Sequence, residues 1–211
     1  DMNNDSGGNN QFIFYYSGHG MPSETTGDPF IMPVDVSAYT VDEAISLNKL
    51  LIDFSRYDKQ KTTVIVDACF SGVSRSPEPL IKVRGVGSKK LEKRTENKSS
   101  NKSYFNYYKP VTHQDINYIN PNIGKNMMLI SSSSGDETSL TWDDKQHGLF
   151  TYFLLKSLQK SGGNISNEKL FYEVKKEVRI KSIFDFGGRK QSPEVLYGEQ
   201  FKKDDQFLKN E

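Results

Sequence analysis

Cys69 is the only cysteine in the chain of 211 residues, and it stands in "TTVIVDACFSG" (Thr62 to Gly72), where a β-branched run gives way to a turn of small residues. A lone cysteine in such a place is either a small buried hydrophobe or a nucleophile. The second reading needs a proton shuttle, because the thiolate is the reactive form and an imidazole can generate it. His19 offers one, in a second glycine turn, Ser17-Gly18-His19-Gly20, that also follows an apolar run. Glycines beside each residue let a substrate backbone approach, and they leave N–H groups free to stabilise an oxyanion. Asp67, two positions ahead of Cys69, adds a carboxylate to the same turn. It is either a binding group or an Asx-type cap of the turn that follows.

Both turns need rigid elements behind them. "QFIFYYSGHG" (Gln11 to Gly20) and "TTVIVDACFSG" are short continuous apolar runs ended by glycine, and "KNMMLISSSSGDE" (Lys125 to Glu137) has the same form. Such runs suit strands buried on both faces of a parallel sheet. Between the first two, apolar residues at 41, 44, 45, 47, 50, 51 and 54 follow helical spacing. Strand, helix, strand implies a right-handed parallel crossover. "HGLFTYFLLKSLQKSGG" predicts a second helix closed by Gly162 and Gly163. "SNEKLFYEVKKEVRIKSI" opens on a Ser/Asn cap signal and predicts a third. The alternation indicates a layered α/β domain. In open α/β sheets the active site forms at the carboxyl ends of the strands, where both turns fall.

Twenty-eight basic against 27 acidic side chains leave a net charge of +1, so global charge argues for neither a nucleic acid nor a membrane surface. No apolar run is long enough to cross a bilayer. A single cysteine forms no internal disulfide, which fits a reducing compartment such as the cytoplasm. The length suits one domain over residues 1–211, with two structured parts, 11–75 and 125–211, joined by a flexible linker over 76–124. That linker holds Pro77, Pro79, Pro110 and Pro121, and from Lys82 to Lys102 it carries eight Lys/Arg against Glu92 and Glu96. Such a run is ordinarily a solvated segment, although with Tyr104, Tyr107 and Tyr108 it also has the makings of a nucleic-acid contact. The first residue is Asp1, and nothing ahead of "FIFYY" supplies that strand with neighbours. We therefore expect either upstream strands beyond this sequence or a partner chain covering that edge.

Taken together, "YYSGHG", "PVD", "VDACFSG", "LISSSSGDETS", "HGLFTYFLLKSL" and "QSPEV" resemble the caspase-like cysteine peptidases of family C14. They are nearer to metacaspases and bacterial caspase homologues than to animal caspases. The 50 residues between His19 and Cys69 are close to the spacing of the caspase signature. The resemblance covers roughly residues 11–75 and 125–197. It implies a caspase-like fold, a mostly parallel sheet between helical layers, whose usual first strands are absent here.

The resemblance further implies a Cys69–His19 dyad acting on peptide substrates. Cys69 would attack the scissile carbonyl, His19 would protonate the leaving amine, and the backbone N–H groups of Gly20 and Cys69 would form the oxyanion hole. Animal caspases carry Gln where Asp67 stands. In metacaspase-like relatives an aspartate there lines the pocket for the P1 side chain, with matches at Ser17 and at Asp136 or its neighbour Glu137. An acidic pocket favours Lys or Arg at P1 and repels Asp and Glu. The basic segment then becomes a candidate for self-cleavage, with Arg84, Lys90 and Arg94 as P1 residues. The chemistry requires no cofactor. Calcium is a metacaspase feature to which Asp35, Asp42 and Glu43 correspond roughly, although Asp42 and Glu43 also suit the first turn of a helix. His113 and His147 lack zinc-ligand spacing. The competing reading is a catalytically silent caspase-like interaction module that needs a partner chain or the missing N-terminal segment.

Overall fold

The computed structural model describes residues 11–23, 28–36, 43–57, 59–70, 123–134 and 137–208. The central strand is β5 (Lys61–Asp67), all seven residues of which are buried. Thr62, Thr63, Val64, Ile65 and Val66 carry the β-branched side chains that pack well on a pleated surface covered on both sides. β1 (Gln11–Ser17) runs parallel to it on one side and β6 (Met127–Ser131) runs parallel on the other. β9 (Glu194–Tyr197) completes the order β1-β5-β6-β9 and is antiparallel to β6.

Helices cover both faces of this sheet. Because strand side chains alternate, Val64 and Val66 point to one face, where they meet Leu47 and Leu51 of α1 (Leu47–Ser55). Ile65, with Met128 and Ile130 of β6, points to the other face. There it packs against Phe150, Phe153 and Leu154 of α2 (Leu149–Ser161) and against Leu170, Val174 and Val178 of α3 (Asn167–Asp185). The result is the three-layered α/β arrangement expected from the alternation of patterns. Gly162 ends α2 at φ 60°, a left-handed conformation that a side chain would oppose. Ser166 caps α3 by accepting from the Lys169 N–H at 3.3 Å.

The first helix is shorter than its apolar spacing predicts. Ser46 is extended and accepts from the Lys49 N–H at 3.2 Å, so the helix starts at Leu47. Ile45 and Ser46 form β4 (Ile45–Ser46), which pairs with Ile31 and Phe30 of β3 (Pro29–Met32). β3 in turn pairs with β2 (His19–Pro22), giving a small antiparallel sheet. Backbone pairing thus takes residues that the side-chain pattern alone assigns to a helix. Glu43 consequently lies outside the helix's first turn. A further antiparallel pair, β7 (Thr141–Trp142) and β8 (His147–Gly148), leads into α2. No described helix is long and apolar enough to cross a membrane.

Candidate active site

The β1–β5 register aligns Ser17 with Asp67, so the two turns singled out in the sequence leave the sheet side by side. The Gly18 N–H donates to the Asp67 carbonyl at 3.1 Å and fastens one turn to the other. One residue later the chain enters β2 with His19. The Tyr16 hydroxyl sits between the carbonyl oxygens of His19 (2.7 Å) and Met32 (2.8 Å), and accepts from the Met32 N–H at 3.1 Å. That hydroxyl staples the end of β1 to the small sheet that carries His19. Burial pushes its pKa up, partly offset by the bond to Met32. A Cβ on Gly18 would stand 2.6 Å from the same hydroxyl oxygen.

Gly20 lies against the turn after β5. A Cβ there would come within 2.6 Å of the Phe70 ring and 2.7 Å of the Cys69 carbonyl oxygen. The His19–Gly20 and Cys69–Phe70 segments are therefore in direct backbone contact. The His19 side chain is exposed, and among the described residues no hydrogen bond joins it to Cys69.

The Cys69 thiol faces a different partner. The Ser139 N–H donates to Sγ at 2.9 Å, and the Ser139 carbonyl lies 3.6 Å away as the thiol's acceptor. Burial pushes the thiol pKa up; the Ser139 backbone bond opposes this, and the nearby Asp67 charge adds to it. Asp67, only 5 % exposed, points to the α2 face. Its Oδ2 accepts from Thr151 Oγ1 at 2.5 Å, and Thr151 Oγ1 lies 2.7 Å from the Tyr15 hydroxyl. Since threonine has one proton and gives it to Asp67, the tyrosine must donate to the threonine. Thr151 is the third residue of α2, so the carboxylate also lies by that helix's positive end. Gly148 presses on the carboxylate, and a Cβ there would collide with it.

Ser17 is exposed beside Asp67. Asp136, Asp42, Arg84, Lys90 and Arg94 lie outside the described residues. Glu137, the alternative to Asp136, is engaged elsewhere: its carboxylate accepts from the Ser192 N–H at 2.5 Å and the Ser192 Oγ at 3.0 Å. Asp35 and Glu43 are exposed, and no three His, Cys, Asp or Glu among the described residues gather closely enough to hold a metal ion.

Sequence reasoning did not single out Ser139, Thr151, Tyr15, Tyr16 or Gln191. Ser139 and Gln191 lie within the quoted segments "LISSSSGDETS" and "QSPEV", but nothing in their residue types announces a bond to the thiol or to its neighbour. Thr151 and Tyr15 carried a weak signal, being polar groups within otherwise apolar runs.

A family model for the caspase domain, peptidase C14, matches residues 3–203. Among solved structures, the crystal structure of caspase-1 from Spodoptera frugiperda superposes with a TM-score of 0.52 at 10 % identity, over 89 % of this chain and 61 % of that one. The structure of pro-sf-caspase-1 gives a TM-score of 0.45 at 13 % identity, over 92 % and 62 % respectively. The chain thus spans less than two thirds of the length of these structures. No curated protein matches its sequence. The likeness to the first structure carries the fold alone, and the family match covers nearly the whole sequence: the chain belongs to the caspase-domain family.

Proposed function

We propose that the chain is a cysteine endopeptidase that cleaves after Lys or Arg with Cys69 as nucleophile. The observation that carries this reading is the Ser17–Asp67 register, which sets the His19 and Cys69 turns together at the carboxyl ends of adjacent parallel strands. Cys69 Sγ attacks the scissile carbonyl, and the oxyanion is held by the backbone N–H groups of Gly20 and Cys69. His19 takes the thiol proton and returns it to the leaving amine, giving an acyl-enzyme. Water, deprotonated by the same imidazole, then releases the acid and restores the thiol. Catalytic hydrogen bonds are often open before substrate arrives, so an outward His19 is compatible with this role.

Asp67 is the pocket acid in this scheme, with Ser17 at its rim and Asp136 as a further acid. A guanidinium or ammonium at P1 would pair with the carboxylate that Thr151 now occupies. The same preference makes Arg84, Lys90 and Arg94, in the 76–124 linker between the 11–75 and 125–211 parts, candidates for self-cleavage. Matched peptides ending in Arg, Lys or Asp test the specificity. Turnover of the Arg and Lys peptides, lost in Cys69→Ala, is expected, and preferred cleavage after Asp would overturn it. Mass spectrometry of wild type beside Cys69→Ala tests processing; an intact 82–102 segment in active protein refutes it.

A second reading has an observation of its own. The thiol is bonded to the Ser139 backbone while His19 points outward, which also suits a catalytically silent module that works through a partner chain. Labelling of Cys69 by a P1-Arg electrophile separates the two, since a silent module would not react.

A further inference from the structure

We propose that Gln191 is a positioning residue that holds the Ser139 backbone against the Cys69 thiol. Gln191 is 0 % exposed, and a buried primary amide is costly unless both of its ends are bonded. Both are. Its Oε1 accepts from the Leu140 N–H at 2.9 Å, one residue beyond Ser139, and its Nε2 donates to the Ser132 carbonyl at 3.0 Å. Ser132 is itself tied to the nucleophile's strand, since its N–H donates to the Val66 carbonyl at 2.9 Å. Its hydroxyl bonds the Ser139 hydroxyl. One side chain therefore links the residue after Ser139 to a residue fixed on β5.

The clamp is anchored behind and beside. The Gln191 N–H donates to Ser182 Oγ of α3 at 3.1 Å. Next to it, Ser192 grips the Glu137 carboxylate through its N–H and its hydroxyl, and Arg179 of α3 donates to the same hydroxyl at 3.1 Å. Glu137 and Leu140 bracket Ser139, so both sides of the residue that donates to Sγ are fastened to the 191–192 segment. An amide is required at 191: an ionised carboxylate could not donate to Ser132, and an apolar side chain could serve neither end.

An N–H held against Sγ at 2.9 Å favours the thiolate and fixes the direction of the sulfur. Among the described residues, the other ionisable groups on the elements that meet at the thiol are Asp67 on β5, with Lys61 at the far end of the same strand, Glu137 in the clamped segment and His19 on β2. Replacing the Gln191 side chain removes none of these groups; it takes away the bonds to Leu140 and Ser132 that hold the Ser139 N–H in place. The inference uses the function proposed above only to say what the oriented thiol is for.

The test exploits the chain's single thiol. Iodoacetamide alkylation of Cys69 is followed across pH in wild type, Gln191→Met and Ser192→Ala, with thermal unfolding as the control for folding. Kinetics on a P1-Arg peptide run in parallel. With the N–H loosened, Gln191→Met should alkylate about tenfold more slowly near neutral pH, its titration displaced upward, and kcat should fall with KM little changed. Ser192→Ala should move the same way by less, and it carries the test if Gln191→Met does not fold. A folded variant whose thiol titrates as in wild type overturns the proposal, even if kcat falls, because that is the mark of a merely structural role. Absence of peptidase activity in wild type would count against the proposed function instead, and the titration would still decide the clamp.

Discussion

Thr151 donates its only hydroxyl proton to the carboxylate of Asp67, 84 residues away in sequence. The bond lies between the end of β5 and the first turn of α2, so it joins the strand that leads to Cys69 to the helical layer opposite α1. A buried acceptor deprived of its donor costs about 1–3 kcal/mol. Thr151→Val should lower stability by that order, and Thr151→Ser, which keeps the hydroxyl, should restore most of it. If Asp67 reads the P1 side chain, Thr151→Val should also weaken discrimination between Arg and Asp peptides. Unchanged discrimination together with the stability loss would mean that the bond serves only the fold.

The Cys69 thiol should titrate above its ordinary value of 9.0, since burial and the Asp67 charge both oppose ionisation. The sign follows from linkage: with the pKa raised in the folded state, the folded protein holds the proton over a window where the unfolded chain has lost it. This contribution to stability is complete below the unfolded value and is lost as pH rises through the folded one. Unfolding midpoints of wild type should therefore fall above about pH 9 more steeply than those of Cys69→Ala. An alkylation rate that no longer rises above neutral pH would overturn this, because the thiol would then already be ionised there.

Gly20→Ala should abolish turnover, because the new methyl meets the carbonyl of Cys69 and the ring of Phe70. The ring can rotate away; the carbonyl belongs to the backbone of Cys69 itself and cannot. Forced overpacking of this kind costs about 1–3 kcal/mol, and the displacement falls on the His19–Cys69 approach. Retained activity in Gly20→Ala would exclude the close backbone contact. Gly148→Ala is the parallel case at Asp67, expected to change P1 preference more than kcat on any one peptide.

The sequence carried the frame of this site more clearly than its furniture. β1, β5 and β6 were legible because each is a continuous apolar run, and α2 and α3 because apolar spacing and end signals agree there. The start of α1 was not, since Ile45 and Ser46 have side chains that fit a helix while their backbone pairs with β3. β9 was hidden for a similar reason: "PEVLY" has too few residues to set a period, and its place is decided by pairing with β6. His19 and Cys69 stood out because their residue types are rare here and their glycines unusual. Ser139, Thr151 and Gln191 did not, because serine, threonine and glutamine acquire a role only from the partners that the fold brings to them.

Tyr16→Phe offers the sharpest separation of position from stability. The phenol oxygen bridges the carbonyls of His19 and Met32 and accepts one N–H, so its loss frees the turn that carries His19 without touching the imidazole. The ring stays packed on the α1 face of the sheet, and the fold should survive with a loss of about 1–3 kcal/mol. If His19 must swing from its exposed position toward Cys69 during turnover, a loosened β1–β2 turn should lower kcat while leaving alkylation of the resting thiol unchanged. At Gln191, by contrast, alkylation and kcat are both expected to fall, because the thiol itself is disturbed. Measured together, the two variants assign one half of the site to each: a Tyr16→Phe protein with wild-type kcat would mean that the position of His19 is set by the β2–β3 pairing alone.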